Sequence, residues 1–199
     1  MAESVVRRPS LALATAETIA ASPTDLGAVK QALDLVKRRR PDEATSIAAT
    51  LRDPLSRTLI EWAVLHSDDT KAGFDRYVAF MAAHPSWPNS GMFRRRAEAA
   101  LWQEHRDPAT VRAFFADEPP ITAKGRFALA RALLAQGDRV TGQRYVHEAW
   151  DNDAFSRDLE MEALETFRDL LTGADHKARM DARFAISSTA RNPRLCGVH

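Results

Sequence analysis

Apolar residues in this chain recur three and four positions apart, and that spacing restricts most of it to α-helix. Phe74, Tyr77, Val78 and Met81 follow it, so they share one face of a predicted helix. No segment alternates apolar and polar residues between hairpin turns, so no strand is predicted. Ala, Leu, Arg and Glu are abundant, and these residues lose little side-chain freedom in a helix. The sequence therefore predicts an all-α fold.

Short polar motifs mark where the predicted helices begin and end. The Asp-Pro pairs at 53–54 and 107–108 each place an N-cap carboxylate before a proline at the first helical position. Proline is tolerated there because the first amides of a helix have no carbonyl partner, so the absence of its N–H removes no hydrogen bond. Gly137 ends one predicted helix and Asp138 caps the next. Division at these signals predicts about ten helices, over 24–39, 42–51, 54–66, 70–84, 89–105, 108–116, 122–136, 138–150, 155–172 and 175–184.

Successive predicted helix pairs repeat every ~30 to 40 residues, the period of tetratricopeptide-like repeats. We therefore expect a superhelical array of antiparallel helix pairs of the α-solenoid type, with a compact helical bundle as the alternative. The predicted organisation is a mobile leader over 1–23, a helical-repeat domain over 24–184 and a disordered tail over 185–199, where the periodicity is lost.

Charge and hydropathy exclude several classes of partner. Lys and Arg total 28 against 27 Asp and Glu, a formal net charge of +1, which argues against a nucleic-acid binder. No run approaches the ~20 apolar residues of a membrane span.

Cys196 is the single cysteine, so an internal disulfide is excluded. Arg7 and Arg8 precede an apolar stretch as in an export signal, but Pro9 and Glu17 interrupt it, and we predict no working signal peptide.

The sequence contains no motif of a known catalytic chemistry, so no catalytic, cofactor or metal residue is predicted. A Gly-rich phosphate loop, His-Glu-x-x-His and Gly-x-Ser-x-Gly are all absent, and the six histidines lack ligand spacing. Glu162, Glu165 and Asp169, with Glu160 nearby, are predicted to share a helix face opposite the apolar stripe. A solvated face accounts for them better than the carboxylate pair of a glycosidase.

Basic runs and tryptophans are the remaining candidates for binding. The run at 37–40 ends a predicted helix, where cations offset the negative end of the helix dipole. Arg94, Arg95 and Arg96 are consecutive and fan around another predicted helix, so at least one is expected to pair with acidic residues on a neighbouring helix. Trp at the spacing of Trp87 is typical of a core, but its ring can also stack on sugars. These three arginines and Trp87 are the candidate contacts to a glycan or a protein partner.

Several segments together resemble a known family. They are His-Pro-Ser-Trp-Pro at 84–88, Met-Phe-Arg-Arg-Arg-Ala-Glu-Ala-Ala-Leu at 92–101, and the segments 124–138, 147–150 and 174–181. Over residues 26 to 184 the chain resembles the N-terminal superhelical region of soluble lytic murein transglycosylases. The resemblance implies a U- or ring-shaped helical platform in the periplasm, on which a separate lysozyme-like domain sits.

That catalytic domain cleaves the bond between N-acetylmuramic acid and N-acetylglucosamine in peptidoglycan without water, leaving a 1,6-anhydro product. Its acid/base is a glutamate in a Glu-Ser segment shortly before Gly-Leu-Met-Gln. The sole Glu-Ser here is Glu3-Ser4, followed by Val-Val, so the resemblance assigns no catalytic residue to this chain. After Phe184 further helices of the family are replaced by a Ser/Thr-rich stretch, and we therefore expect a fragment or a truncated product.

The leading functional prediction is a non-catalytic scaffold whose partner is peptidoglycan or a catalytic domain missing from the chain. The alternative is a free-standing helical-repeat adaptor that binds a protein partner. The scaffold predicts an open apolar end over 155–184, whereas the adaptor predicts a groove with aromatic or arginine anchors. Neither requires a cofactor.

Overall fold

The structure of the chain is a computed structural model that describes residues 23–152 and 155–181. Within these ranges the chain forms ten α-helices and no strand, which confirms the predicted all-α class. The predicted tail over 185–199, and all of the predicted leader except Pro23, lie outside the described residues. Contacts divide the chain after Thr70 into two compact units, whereas one continuous helical domain is predicted from the sequence. A superhelical arrangement stays a prediction.

The first unit contains three helices that all contact one another. They are α1 (Pro23–Lys37), α2 (Pro41–Thr50) and α3 (Pro54–His66). Their shared core consists of Val29, Ala32, Ala44, Ala48, Leu51, Ile60 and Val64. The small alanine side chains allow the helix backbones to lie close together, and their burial removes apolar surface from water.

The second unit contains the other seven helices. They are α4 (Phe74–Ala83), α5 (Ser90–Gln103), α6 (Pro108–Phe114), α7 (Ala123–Ala135), α8 (Arg139–Asn152), α9 (Arg157–Thr166) and α10 (173–181). Helix α5 packs on α4 and α7, and α7 also packs on α6 and α8. The largest buried side chains of this unit include Phe93 of α5, Phe127 of α7 and Trp150 of α8. Helix α5 is therefore central to the packing of this unit.

The predicted N-caps are confirmed. The Asp53 carboxylate accepts a hydrogen bond from the Ser56 N–H at 2.8 Å, and Asp107 accepts one from the Thr110 N–H at 3.0 Å. Asp138 accepts from the backbone N–H three positions on, at 3.1 Å. These bonds satisfy amides that have no carbonyl partner in the first turn of a helix.

Most helix ends lie one or more residues from their predicted positions, and three of them have a visible structural cause. Helix α1 ends at Lys37 instead of residue 39, because Arg39 adopts a positive φ of 64°. Helix α4 begins at Phe74 instead of residue 70, since Glu104 accepts a hydrogen bond from the Phe74 N–H at 2.9 Å. Helix α9 ends at Thr166, and residues 167–170 form a turn around buried apolar side chains.

We expect the triple replacement of the cap residues Asp53, Asp107 and Asp138 by asparagine to make the free energy of unfolding less dependent on pH in the acidic range. Hydrogen bonds from the residue three positions on are the largest cause that lowers the pKa of each carboxyl. A lowered native pKa contributes stability above the unfolded value of about 3.9, and this stability is lost as the pH falls through the native pKa. Asparagine caps about as well but does not titrate.

The measurement is urea unfolding of wild type and triple variant from neutral pH to about pH 2. Near neutral pH the two proteins should be similar in stability. If the free energy of unfolding of the variant decreased as steeply with falling pH as that of wild type, this account of the caps would be contradicted.

Candidate functional site

A groove of about 600 Å³ opens on the surface of the second unit, beside α4 and the start of α5. Its apolar lining comes from Val78, Met81, Ala82, Pro85 and Phe114. Its polar lining comes from Ser90, Gly91, Arg94, Asp117 and Glu118. An apolar floor with a few charged groups at the rim, at this volume, is typical of a binding site.

The floor of the groove is the part of the α4 apolar face that the core does not use. Phe74 and Tyr77 are buried at 5% and 3% exposure. Val78 and Met81, which the sequence places on the same face, are only half-buried and line the groove. Sequence periodicity does not separate the two roles, because residues three and four apart project from the same side of the helix.

Arg94 attaches the loop that follows α6 to helix α5. Its guanidinium donates from Nη2 to the backbone carbonyls of Glu118 at 2.9 Å and Pro119 at 3.2 Å. Its Nη1 lies 2.8 Å from the Glu118 carboxylate, and the guanidinium carbon lies 5.1 Å from the centre of the Phe114 ring. The Arg94 side chain is only 16% exposed, so it is part of the groove wall and its charge is already partnered.

Glu98, one turn further along α5, is fully buried and fixes the other end of the same loop. Its carboxylate accepts hydrogen bonds from the Ile121 N–H at 3.0 Å, the Thr122 N–H at 2.8 Å and the Thr122 hydroxyl at 2.5 Å. Arg94 Nε lies 3.6 Å from it. The Thr122 hydroxyl also accepts from the Gly125 N–H at 3.0 Å, which caps α7. A charged group can be buried at this point because several donors surround it.

The four predicted contact residues lie in different environments in the structure. Arg94 lines the groove, and Arg95 is exposed beside it, with Nη1 3.5 Å from the Gly91 carbonyl. Arg96 is half-buried. Trp87 is half-buried and packs edge-on against the Phe80 ring, with the ring centres 5.9 Å apart. The sequence predicts that one arginine pairs with acidic residues on a neighbouring helix; Arg94 pairs instead with Glu118, which lies in the loop that follows α6. Contact of the four residues with a glycan or a partner stays a prediction.

Glu162 and Glu165 of α9 are exposed, as predicted for a solvated face. The Glu162 carboxylate also accepts a hydrogen bond at 2.7 Å from the indole N–H of Trp102, which is buried at 3% exposure. Asp169 is exposed too, but it lies in the turn after α9, so its predicted place on the same helix face is wrong. Helix α9 ends at Thr166, and Phe167 at its C-cap has a φ of −118° and a ψ of 27° in place of helical angles.

Trp102 and Arg131 close the C-terminal end of α5 against α7. The Arg131 guanidinium lies 4.6 Å from the centre of the Trp102 ring and donates to the carbonyls of Leu101 and Trp102 at 3.1 and 3.2 Å. Burial lowers the pKa of Arg131. Trp102 is thus a core residue, and its arginine neighbour satisfies carbonyls that the helix leaves unpaired.

The first unit has a cleft of about 630 Å³ between α1 and α2. Its apolar lining consists of Leu35 and Ile47 alone, and its Arg40 forms a bidentate contact with Glu43. Exposed pairs of this kind contribute little binding energy. The groove of the second unit, with a larger apolar floor, is therefore the stronger candidate.

Other kinds of site find no support in the part of the chain that the structure describes. There, no set of three or more His, Cys, Asp or Glu side chains is arranged to hold a metal ion. None of the described helices has the length and apolar character required to cross a bilayer. Comparisons with models of known families, with curated proteins and with solved structures find no match to this chain.

Gly125→Ala is expected to destabilise the second unit, although alanine is the better helix former. A Cβ at this position would lie 2.4 Å from Glu98 Oε2, so the carboxylate would have to leave its donors. Each buried amide left without a partner costs about 1–3 kcal/mol. Urea unfolding should show a loss of this size.

Gly91→Ala is the matched control, because the nearest atom to its Cβ would be Arg95 Nη1 at 4.0 Å. This variant should be as stable as wild type or gain up to about 1 kcal/mol. A Gly125→Ala protein as stable as Gly91→Ala would show that the contact with Glu98 is not a constraint.

Proposed function

We propose that this chain is a non-catalytic helical scaffold that binds a segment of a protein partner in the groove. The observation that carries the proposal is the apolar floor of Val78, Met81 and Phe114, which the core leaves open beside a wall fixed by Arg94. A wall held by several bonds loses little freedom when a ligand binds, and such a preformed surface favours affinity.

The charges around the groove support a scaffold in preference to an enzyme. Glu98, a fully buried carboxylate, is occupied by donors of the loop and of Thr122. Arg94 is occupied by Glu118 and by backbone carbonyls. Groups engaged in this way hold the groove in shape, and a general acid or base would instead need to reach a bound substrate.

The family resemblance suggests what the partner is. In soluble lytic transglycosylases the helical platform carries a lysozyme-like domain, so a catalytic domain of that kind is the first candidate for the bound protein. Direct contact with peptidoglycan in the periplasm is the second candidate, supported by the resemblance and by the exposed Arg95 beside the groove. A free-standing adaptor would use the same groove for another protein.

Selection from a random peptide library tests the docking function. We expect wild-type protein to enrich peptides whose binding is lost in Met81→Glu, because a buried carboxylate on the floor would oppose an apolar ligand. Val140→Glu is the control, since Val140 is 83% exposed and lies in α8, away from the groove lining. Circular dichroism of both variants verifies that they fold. Enriched peptides that bind both variants equally, or no enrichment, would contradict docking in the groove.

Incubation with isolated peptidoglycan sacculi separates the two candidate partners and tests the non-catalytic part of the proposal. Salt-sensitive sedimentation with sacculi that is weakened in Arg95→Ala would support a wall contact. We expect no release of 1,6-anhydro muropeptides. Their release by purified protein would mean that the chain is itself a catalyst, and the scaffold proposal would be wrong.

A further inference from the structure

The rim of the groove carries an excess of negative charge on the side of the loop that follows α6. Asp117 is exposed there, and the neighbouring Glu118 side chain is 69% exposed. Among the described residues that line the groove, Arg94 is the only cation, and it already faces the carboxylate of Glu118. One guanidinium against the two carboxylates of Asp117 and Glu118 leaves the charge of this lining negative.

The first turn of α5 adds Ser90 and Gly91 to the groove lining. The exposed Arg95 is not a lining residue, but its Nη1 lies 3.5 Å from the Gly91 carbonyl. The described lining thus presents two carboxylates and one guanidinium, with a further guanidinium near Gly91. Charges arranged in this way orient a partner and exclude segments of the wrong sign.

Phe114 gives the floor of the groove a rigid apolar surface. Its ring packs edge-on against Phe74 at 5.2 Å and against Phe115 at 5.0 Å, while Arg94 covers it at 5.1 Å. Met81, which also lines the groove, has a flexible side chain that can adapt to different apolar ligands. Apolar side chains of a partner can therefore be accommodated next to the acidic edge.

Building on the docking function, we propose that the bound segment is an apolar stretch of protein with one lysine or arginine that pairs with Asp117. A polyanionic glycan or nucleic acid would meet the Asp117 and Glu118 carboxylates, and repulsion between like charges disfavours it. The cation of the described groove lining, Arg94, is already partnered inside the wall. The charge of the rim thus selects a basic and apolar protein segment.

Fluorescence anisotropy with matched peptides tests the charge preference. The probes are a short fluorescein-labelled leucine-rich peptide with a central lysine, and the same peptide with glutamate or glutamine at that position. The lysine probe should bind more tightly than the other two. In Asp117→Asn its affinity should fall about two- to fivefold, the range of an exposed ion pair, and the effect should diminish with added salt.

Two control variants assign the effect to the groove. Asp169→Asn removes an exposed carboxylate outside the groove lining and should leave the affinity unchanged. Arg95→Ala removes an exposed cation that lies outside the groove lining, so it should not weaken the binding of the lysine probe.

Equal affinity for the lysine and glutamate probes, or an affinity that Asp117→Asn does not change, would overturn the inference. If neither probe binds, the peptides selected from the library test the charge preference. Selected peptides that depend on Met81 but contain no Lys or Arg would overturn the inference of a basic segment, while the docking function itself would still be supported. A complete absence of Met81-dependent peptides would instead refute the docking function itself. Tighter binding of the glutamate probe, abolished by Arg95→Ala, would show that an acidic partner occupies the groove.

Discussion

The buried carboxylate of Glu98 is the interaction on which the second unit depends. Removing a charge from water costs several kcal/mol, and this cost is offset by the amides of Ile121 and Thr122, the Thr122 hydroxyl and the nearby Arg94 guanidinium. The same contact brings α7 so close to α5 that position 125 has no room for a side chain in front of the carboxylate. It also fixes the end of the loop whose other end Arg94 holds, so the groove wall follows from it.

Helix α5 positions its neighbours with two glutamates, one on each side. Glu98 binds the start of α7, and Glu104, near the end of α5, accepts the first N–H of α4 at Phe74. A side chain at Gly73 would lie 2.7 Å from the Glu104 carboxylate, so this contact is also close. Because the same helix fixes the start of α4 and the loop before α7, the floor and the wall of the groove keep a defined separation.

This arrangement explains why the arginine run has more than one role. Arg94 is a structural residue that also faces the groove, whereas Arg95 on the next position is exposed to solvent. Consecutive positions of a helix point about 100° apart, so a basic run divides between the wall and the surface. The proposed scaffold role is compatible with the docking groove, because a scaffold must hold another protein. The proposed partner is then distinguished by the sign of its charge at Asp117.

The sequence by itself determined the helical class and the caps, because the carboxylates of Asp53 and Asp107 bind amides within three residues of themselves. It also placed the arginine cluster at the start of α5. Only the tertiary structure decided that Phe74 begins a helix and that Glu98 is buried, since their partners lie about thirty and twenty-three residues away. The groove has the same origin: apolar periodicity assigns Met81 to a helix face, but whether that face is core or binding surface depends on how far the next helix covers it.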